Sequence, residues 1–299
     1  MAGERPLLFV PNFSEGRSER VVDALGNTLR AHARLLNVHF DAQHNRSVFT
    51  LAGEPRSLKD AALAGAEHAV ELIDLRGYQG LHPHIGALDV CPFVWIAEAD
   101  RETARAIALV AAEGIARLET PVFLYGELAS SPERRERAFF RQGGPAELAR
   151  RMTEGELVPD FGPAEPHPGA GATLVTARAP LVAFNLELDT PNPEIARAVA
   201  ERLRESGGGL PGVRALGLPR EGERAQVSIN VHDATALPLA RLVEEVRGLA
   251  AEHGARAVEA ELVGLAPAAA LKGYPGDPPI RDFDPDRHLI ERVIGIPID

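Results

Sequence analysis

LVAFNLELDTPNPEIARAVAERLRESGGG, residues 181–209, is the stretch on which the fold turns. Leu181–Leu188 has the apolar density of a buried strand, and Asn192-Pro193 opens a helix running to about Glu205, with proline in its first turn. Gly207-Gly208-Gly209 ends that helix, because glycine takes the left-handed turn at no steric cost. Working outward, Val213–Leu218 and Ala225–Val231 read as a hairpin around Arg220–Glu223, Leu237–Ala251 as a second helix and Ala257–Val263 as a last strand. The order β-α-β-β-α-β predicts a ferredoxin-like unit, an antiparallel sheet with both helices on one face.

The first half carries the same order. Leu7–Val10 reads as a buried strand ended by Pro11-Asn12, and Ser18 caps a helix bearing Val21, Val22, Leu25 and Leu29 on one face. Leu35–Phe40 and Ser47–Leu51 are strands joined around Asp41–Arg46, followed by a helix over Ser57–Leu72 and a strand over Asp89–Trp95. A long Ala/Ile/Leu helix, Arg101–Leu118, and a strand, Val122–Tyr125, follow. The expectation is an α/β (α+β) protein of two βαββαβ subdomains, residues 1–178 and 179–299, broken near Arg178–Pro180, with a ligand cleft between them.

Composition narrows the function. The 299 residues are 45% apolar and 25% charged, the balance of a globular chain with a real core. No run reaches the ~18–20 apolar residues of a membrane helix, and the start, MAGERPLLFVPNF, turns polar too soon for a secretory signal. Net charge is −11, which repels nucleic acid and anionic membranes at long range but leaves room for a local basic pocket. The single cysteine, Cys91, excludes an intrachain disulfide and a multi-thiolate metal site. The expected location is the cytoplasm.

The candidate chemistry lies in loops. His39 and His44 fall in VHFDAQHNR, and His82 and His84 in RGYQGLHPHIGALDV, where Gly77, Gly80, Pro83 and Gly86 force a sharp course. Histidine suits proton transfer near neutrality. His82, His84 and Asp41 would also make a zinc set, although no helical HExxH spacing supports it. Phosphate-cradling glycine motifs and a GxSxG elbow are absent, and Cys91 in DVCPFVW reads as a buried strand residue. Arg46 reads either as a clamp for a substrate carboxylate, through two parallel hydrogen bonds, or as a solvated or structural ion pair. Val158–Gly171, rich in proline and glycine, reads either as an interdomain linker or as a rigid binding loop.

Taken together, these segments resemble one family. VPNFSEGR (Val10–Arg17), HNRSVFTLAG (His44–Gly53), HPHIGALDVCPF (His82–Phe93), LYGE (Leu124–Glu127), PDFGP (Pro159–Pro163), AFNLEL (Ala183–Leu188), QVSINVHD (Gln226–Asp233), LVGLAP (Leu262–Pro267) and FDPDRHLIERV (Phe283–Val293) resemble, in order, the formiminotransferase family. That family includes the glutamate formiminotransferases and the transferase half of the bifunctional formiminotransferase-cyclodeaminases. The resemblance implies transfer of a formimino group from formiminoglutamate to tetrahydrofolate, a co-substrate, with no metal, in a protein that dimerises. No room remains here for a fused cyclodeaminase domain, so that second activity is expected to be missing.

The resemblance makes His82 the catalytic acid/base; by analogy with other histidine–carboxylate pairs, Asp41 is the candidate to orient its imidazole. It places Asp41, His44, Asn45, Arg46 and His84 around the substrate. The folate loop corresponds to Gly162, Pro163, Ala164, Glu165, Pro166, His167, Pro168, Gly169, Ala170 and Gly171. Two departures stand out: Leu81 precedes the histidine, and His84 occupies the place of an arginine whose two parallel hydrogen bonds a neutral imidazole does not replace. Ala164–Ala170 also lacks the aromatic residues some relatives carry there. Two alternatives therefore stay open, a folate-binding protein without transferase activity or with a different donor, and a zinc-dependent amidohydrolase.

Overall fold

The structure is a computed structural model that describes residues 6–220, 222 and 224–295. It divides between Ala179 and Pro180 into two compact units.

In the first unit, the opening strand is split into β1 (Leu7–Phe9) and β2 (Asn12–Phe13), because Pro11 cannot donate to a ladder. Helix α1 (Glu19–Arg30) starts as expected, with the Ser18 hydroxyl accepting from the Val21 N–H at 3.4 Å. The hairpin β3 (Arg34–Asp41) and β4 (Arg46–Gly53), helix α2 (Pro55–Leu72) and strand β5 (Leu88–Val94) complete a βαββαβ order. Strands β3, β4, β1/β2 and β5 pair antiparallel.

The sheet then continues beyond the predicted unit. After α3 (Arg101–Ala116) and β6 (Val122–Leu124) come short helices α4 (Arg137–Arg141) and α5 (Gly144–Thr153) and strand β7 (Thr173–Arg178). β7 pairs parallel with both β5 and β6. Cys91, Val175 and Ala177 point into the core beneath α1–α3, with Phe9, Phe13 and Leu29. Val90 and Leu174, one residue out of phase, belong to a separate cluster with Phe123, Phe140 and Met152, so α4 and α5 cover part of the opposite face. β7 corrects the linker reading of Val158–Gly171: that loop leads into a strand of the same unit, buried from Thr173 to Ala177.

The second unit follows its predicted pattern closely. β8 (Val182–Leu188), α6 (Pro193–Leu203), β9 (Val213–Pro219), β10 (Ala225–Val231), α7 (Leu239–Ala251) and β11 (Ala257–Val263) form an antiparallel sheet ordered β11-β8-β10-β9. This is the ferredoxin-like order. Residues 221 and 223 of the predicted Arg220–Glu223 turn lie outside the described residues. Short helices α8 (Pro285–His288) and α9 (Ile290–Ile294) close the described chain. Among the described residues, no helix is long and apolar enough to cross a membrane.

Candidate active site

Asp89 is the hub of the site. It is the lone charge in the run LDVCPFVW, and β5 there slips register against β2, where Asn12 pairs with Val90 but Phe13 with Leu88. The extra residue is Asp89, and such a bulge turns a side chain out of the strict alternation. Its carboxylate is wholly buried: one oxygen accepts from the Ile85 N–H at 2.9 Å, the other from Arg46 Nη1 at 2.8 Å and from Arg141 Nη2. Burial alone pushes the Asp89 carboxyl up. Arg141, Arg46 and the Ile85 amide override it and bring it down to about 2.

Arg46 has a second partner, donating through Nη2 to Asn12 Oδ1 at 2.9 Å. Arg141 spends one bond on Asp89, and its buried Nε–H finds no acceptor among the described residues. Burial, together with the charges of Arg137 and Arg46, brings Arg141 down to about 10 against the pull of Asp89.

The His82 loop is stitched to this hub from both sides. Leu81 N–H donates to the Gln43 carbonyl at 3.0 Å, and the Tyr78 hydroxyl donates to the His44 carbonyl at 2.9 Å. Gly80 passes so close to that hydroxyl and carbonyl that any Cβ would collide with them. His82 Nδ1 lies 2.7 Å from the Pro83 carbonyl oxygen. A carbonyl only accepts, so Nδ1 carries the hydrogen and the neutral ring keeps its lone pair on Nε2. Desolvation, then the charges of Arg46, Arg141 and Arg137, hold the His82 imidazole well below its ordinary value. At neutral pH His82 is a base with its orientation set by its own loop.

His84 packs its ring against Tyr78, centroids 3.9 Å apart, and burial lowers its basicity too. A neutral imidazole therefore stands where the family pattern expects a cation, and the positive charge beside the loop comes from Arg46, Arg141 and Arg137 instead.

The β3–β4 turn supplies the remaining predicted residues, each already engaged. Asp41 Oδ1 accepts from the Gln43 and His44 N–H groups, both at 2.8 Å, and lies 3.1 Å from His44 Nδ1. Its observed imidazole partner is thus His44 rather than His82. The two histidine rings meet edge to face, centroids 6.4 Å apart. Asn45 holds a left-handed backbone (φ +49°), which asparagine tolerates better than most residues, and its Oδ1 accepts from the Gly16 N–H at 2.9 Å. Among the described residues, no three His, Cys, Asp or Glu side chains converge as metal ligands, His82, His84 and Asp41 included.

The proline-rich loop is tied to the His82 loop by backbone. Ala87 N–H donates to Ala170 O (2.8 Å) and Ala172 N–H to Ile85 O (2.9 Å), while Gly86 and Gly171 form a bridge. Neither glycine tolerates a side chain: a Cβ on Gly86 would overlap the Ala172 carbonyl, and one on Gly171 the Ile85 carbonyl. The turn closes on itself through mutual His167–Gly171 backbone bonds of 2.8 Å, and His167 Nδ1 accepts from the Ala170 N–H at 2.9 Å. Gly162, Ala164 and Glu165 stay exposed at its outer end.

Comparison with known proteins places most of the chain in one family. A profile of the formiminotransferase domain, N-terminal subdomain, matches residues 7–178, and one of the formiminotransferase domain matches residues 183–273. This chain belongs to the formiminotransferase family. It is 41% identical over 266 residues to glutamate formimidoyltransferase of Streptococcus pyogenes, covering 88% of this chain and 89% of that one. It is 37% identical to glutamate formimidoyltransferase of Thermoplasma acidophilum, covering 88% of each. Against the formimidoyltransferase-cyclodeaminase of Rattus norvegicus it is 38% identical over 88% of its own length and spans half of that protein. Within this formiminotransferase chain, sequence reasoning missed Asp89, Tyr78, Asn12 and the α4 arginines. The isolated charge in LDVCPFVW was a legible signal; nothing local announced that RERAFFR would fold back onto it.

Proposed function

We propose that this chain transfers a formimino group from N-formimino-L-glutamate to tetrahydrofolate, with His82 as the general acid/base. The observation that carries this reading is the His82 geometry, an imidazole whose Nδ1–H is spent on the Pro83 carbonyl and whose Nε2 is left basic among arginines. Folate N5 bonds to the formimino carbon as the C=N electrons move onto nitrogen, and Nε2 takes the N5 proton. The imidazolium returns that proton to the glutamate nitrogen, which departs as the C=N bond reforms. One group serving both steps contributes ~10²–10⁴-fold. Holding the two amines side by side lowers the entropic part of the barrier.

In this reading the loop Gly162–Gly171 takes the folate, supported by its backbone attachment to the His82 loop. Asp41 and Asn45 act by shaping the turn that carries His44 and Arg46. Family membership supports tetrahydrofolate as co-substrate, and the reading extends to a cytoplasmic homodimer with functional subdomains 1–178 and 179–299. The test mixes protein, formiminoglutamate and tetrahydrofolate and follows 5-formiminotetrahydrofolate by absorbance. Wild type turns over, and His82→Ala loses at least ~10²-fold in kcat with folate binding intact. Folate binding without turnover in wild type would favour a binding protein. Activity abolished by chelator would favour the zinc enzyme.

A further inference from the structure

We propose that Arg137 and Arg141, at the two ends of α4, form a carboxylate-binding site beside His82 that selects an acidic substrate. This rests on the transferase reading above. Three arginines bear on His82 (Arg46, Arg141 and Arg137), and the pair Arg46 and Arg141 shares the single buried carboxylate of Asp89. Arg137 is half-buried and, among the described residues, has no hydrogen-bond or ion-pair partner. It lies near enough to Arg141 and to half-buried Arg178 to depress the basicity of both. The buried Nε–H of Arg141 is equally unanswered.

Gathering cations around one carboxylate is costly in a desolvated place, and the cost is offset when an anion arrives. Unspent guanidinium N–H groups in such a site match a carboxylate, which accepts parallel bonds from them. The site is a local exception in a chain of net charge −11.

Both substrates carry carboxylates. Those of the donor fit better, because only the amine nitrogen and Cα separate the formimino carbon from the α-carboxylate. The glutamyl tail of folate, in contrast, lies beyond the benzoyl group from N5. The arginines and His82 would then hold one small molecule between them, the cations at its carboxylate and the base at its reacting nitrogen. Arg137 and Arg141 are positioning and specificity residues here, not proton carriers.

The test is steady-state kinetics on Arg137→Gln and Arg141→Gln, with Arg141→Lys as the charge-retaining control and thermal unfolding to verify folding. Arg137→Gln removes no partner among the described residues, so it folds as wild type does. The expected result is a donor KM raised about 10–100-fold in either glutamine variant, the loss of a charged hydrogen bond, with the tetrahydrofolate KM unchanged. The penalty should vanish on a donor whose carboxylates are converted to amides. A rise confined to the folate KM, and absent with a pteroyl cofactor lacking the glutamyl tail, assigns the site to folate's carboxylates instead. Unchanged KM for both substrates in an active Arg137→Gln enzyme overturns the site. Should wild type show no transfer at all, the transferase reading fails separately. L-glutamate titrated calorimetrically into wild type and Arg137→Gln then decides the site, with equal affinity overturning it.

Discussion

Replacing Asp89 by asparagine tests how the buried hub is held. The carboxylate has no exposed surface, so solvent screening does not discount its interactions. Its drop from 3.8 to about 2 corresponds to about 2 kcal/mol of folding free energy at neutral pH. The substitution does more, since it leaves the Arg46 and Arg141 guanidiniums facing each other without a counter-charge. Breaking a buried pair in this way costs ~3–5 kcal/mol. For a unit of this size that is a fall in Tm of about 6–20 °C. The pH dependence carries a second signature. A carboxyl depressed on folding stabilises fully above its unfolded value and loses that contribution as pH falls through the folded one, here between 3.8 and about 2. The gap in unfolding free energy between wild type and Asp89→Asn should therefore stay constant from pH 7 to about 5 and close only below 4. Urea unfolding followed by circular dichroism across that range measures it. A Tm within ~2 °C of wild type at pH 7, or a gap already closing between pH 7 and 5, would refute the hub.

Because burial and the neighbouring arginines lower the His82 imidazole, the basic form persists below its ordinary titration range. The acid limb of kcat/KM should fall well below pH 6.5, and Arg137→Gln should move it upward; a limb at or above 6.5 would show that the arginines do not act on the ring. Gly171→Ala, at φ +70° and against the Ile85 carbonyl, should part the two loops and raise the folate KM at least ~10-fold. Fluorescence titration with folate checks this, and unchanged affinity would separate that loop from the folate site.

The architecture was legible locally because its signals are local. Strand alternation, the Ser18 cap, Pro193 in a first turn and the glycine stop after α6 are properties of neighbouring residues, and each element formed where those residues place it. The ferredoxin-like order of the second unit follows from element order and short connections. Strand β7 escaped notice because its parallel partners lie more than 45 residues away in sequence, and nothing in TLVTAR names them.

The site divides along the same line. His82, His44 and Arg46 stood out as histidines and an arginine in turning loops. The bond that makes Asp89 a hub depends on a one-residue bulge, and Arg141 reaches it from a helix 52 residues on. The exchange of imidazole partners at Asp41, the tautomer of His82 and the gathering of Arg137 with Arg46 and Arg141 are all consequences of what lies across space. Residue types and their local spacing determined the elements and nominated the base. Which proton that base holds, and how many charges surround it, were decided only when tertiary packing stripped water from groups far apart in the chain and made them answer to one another.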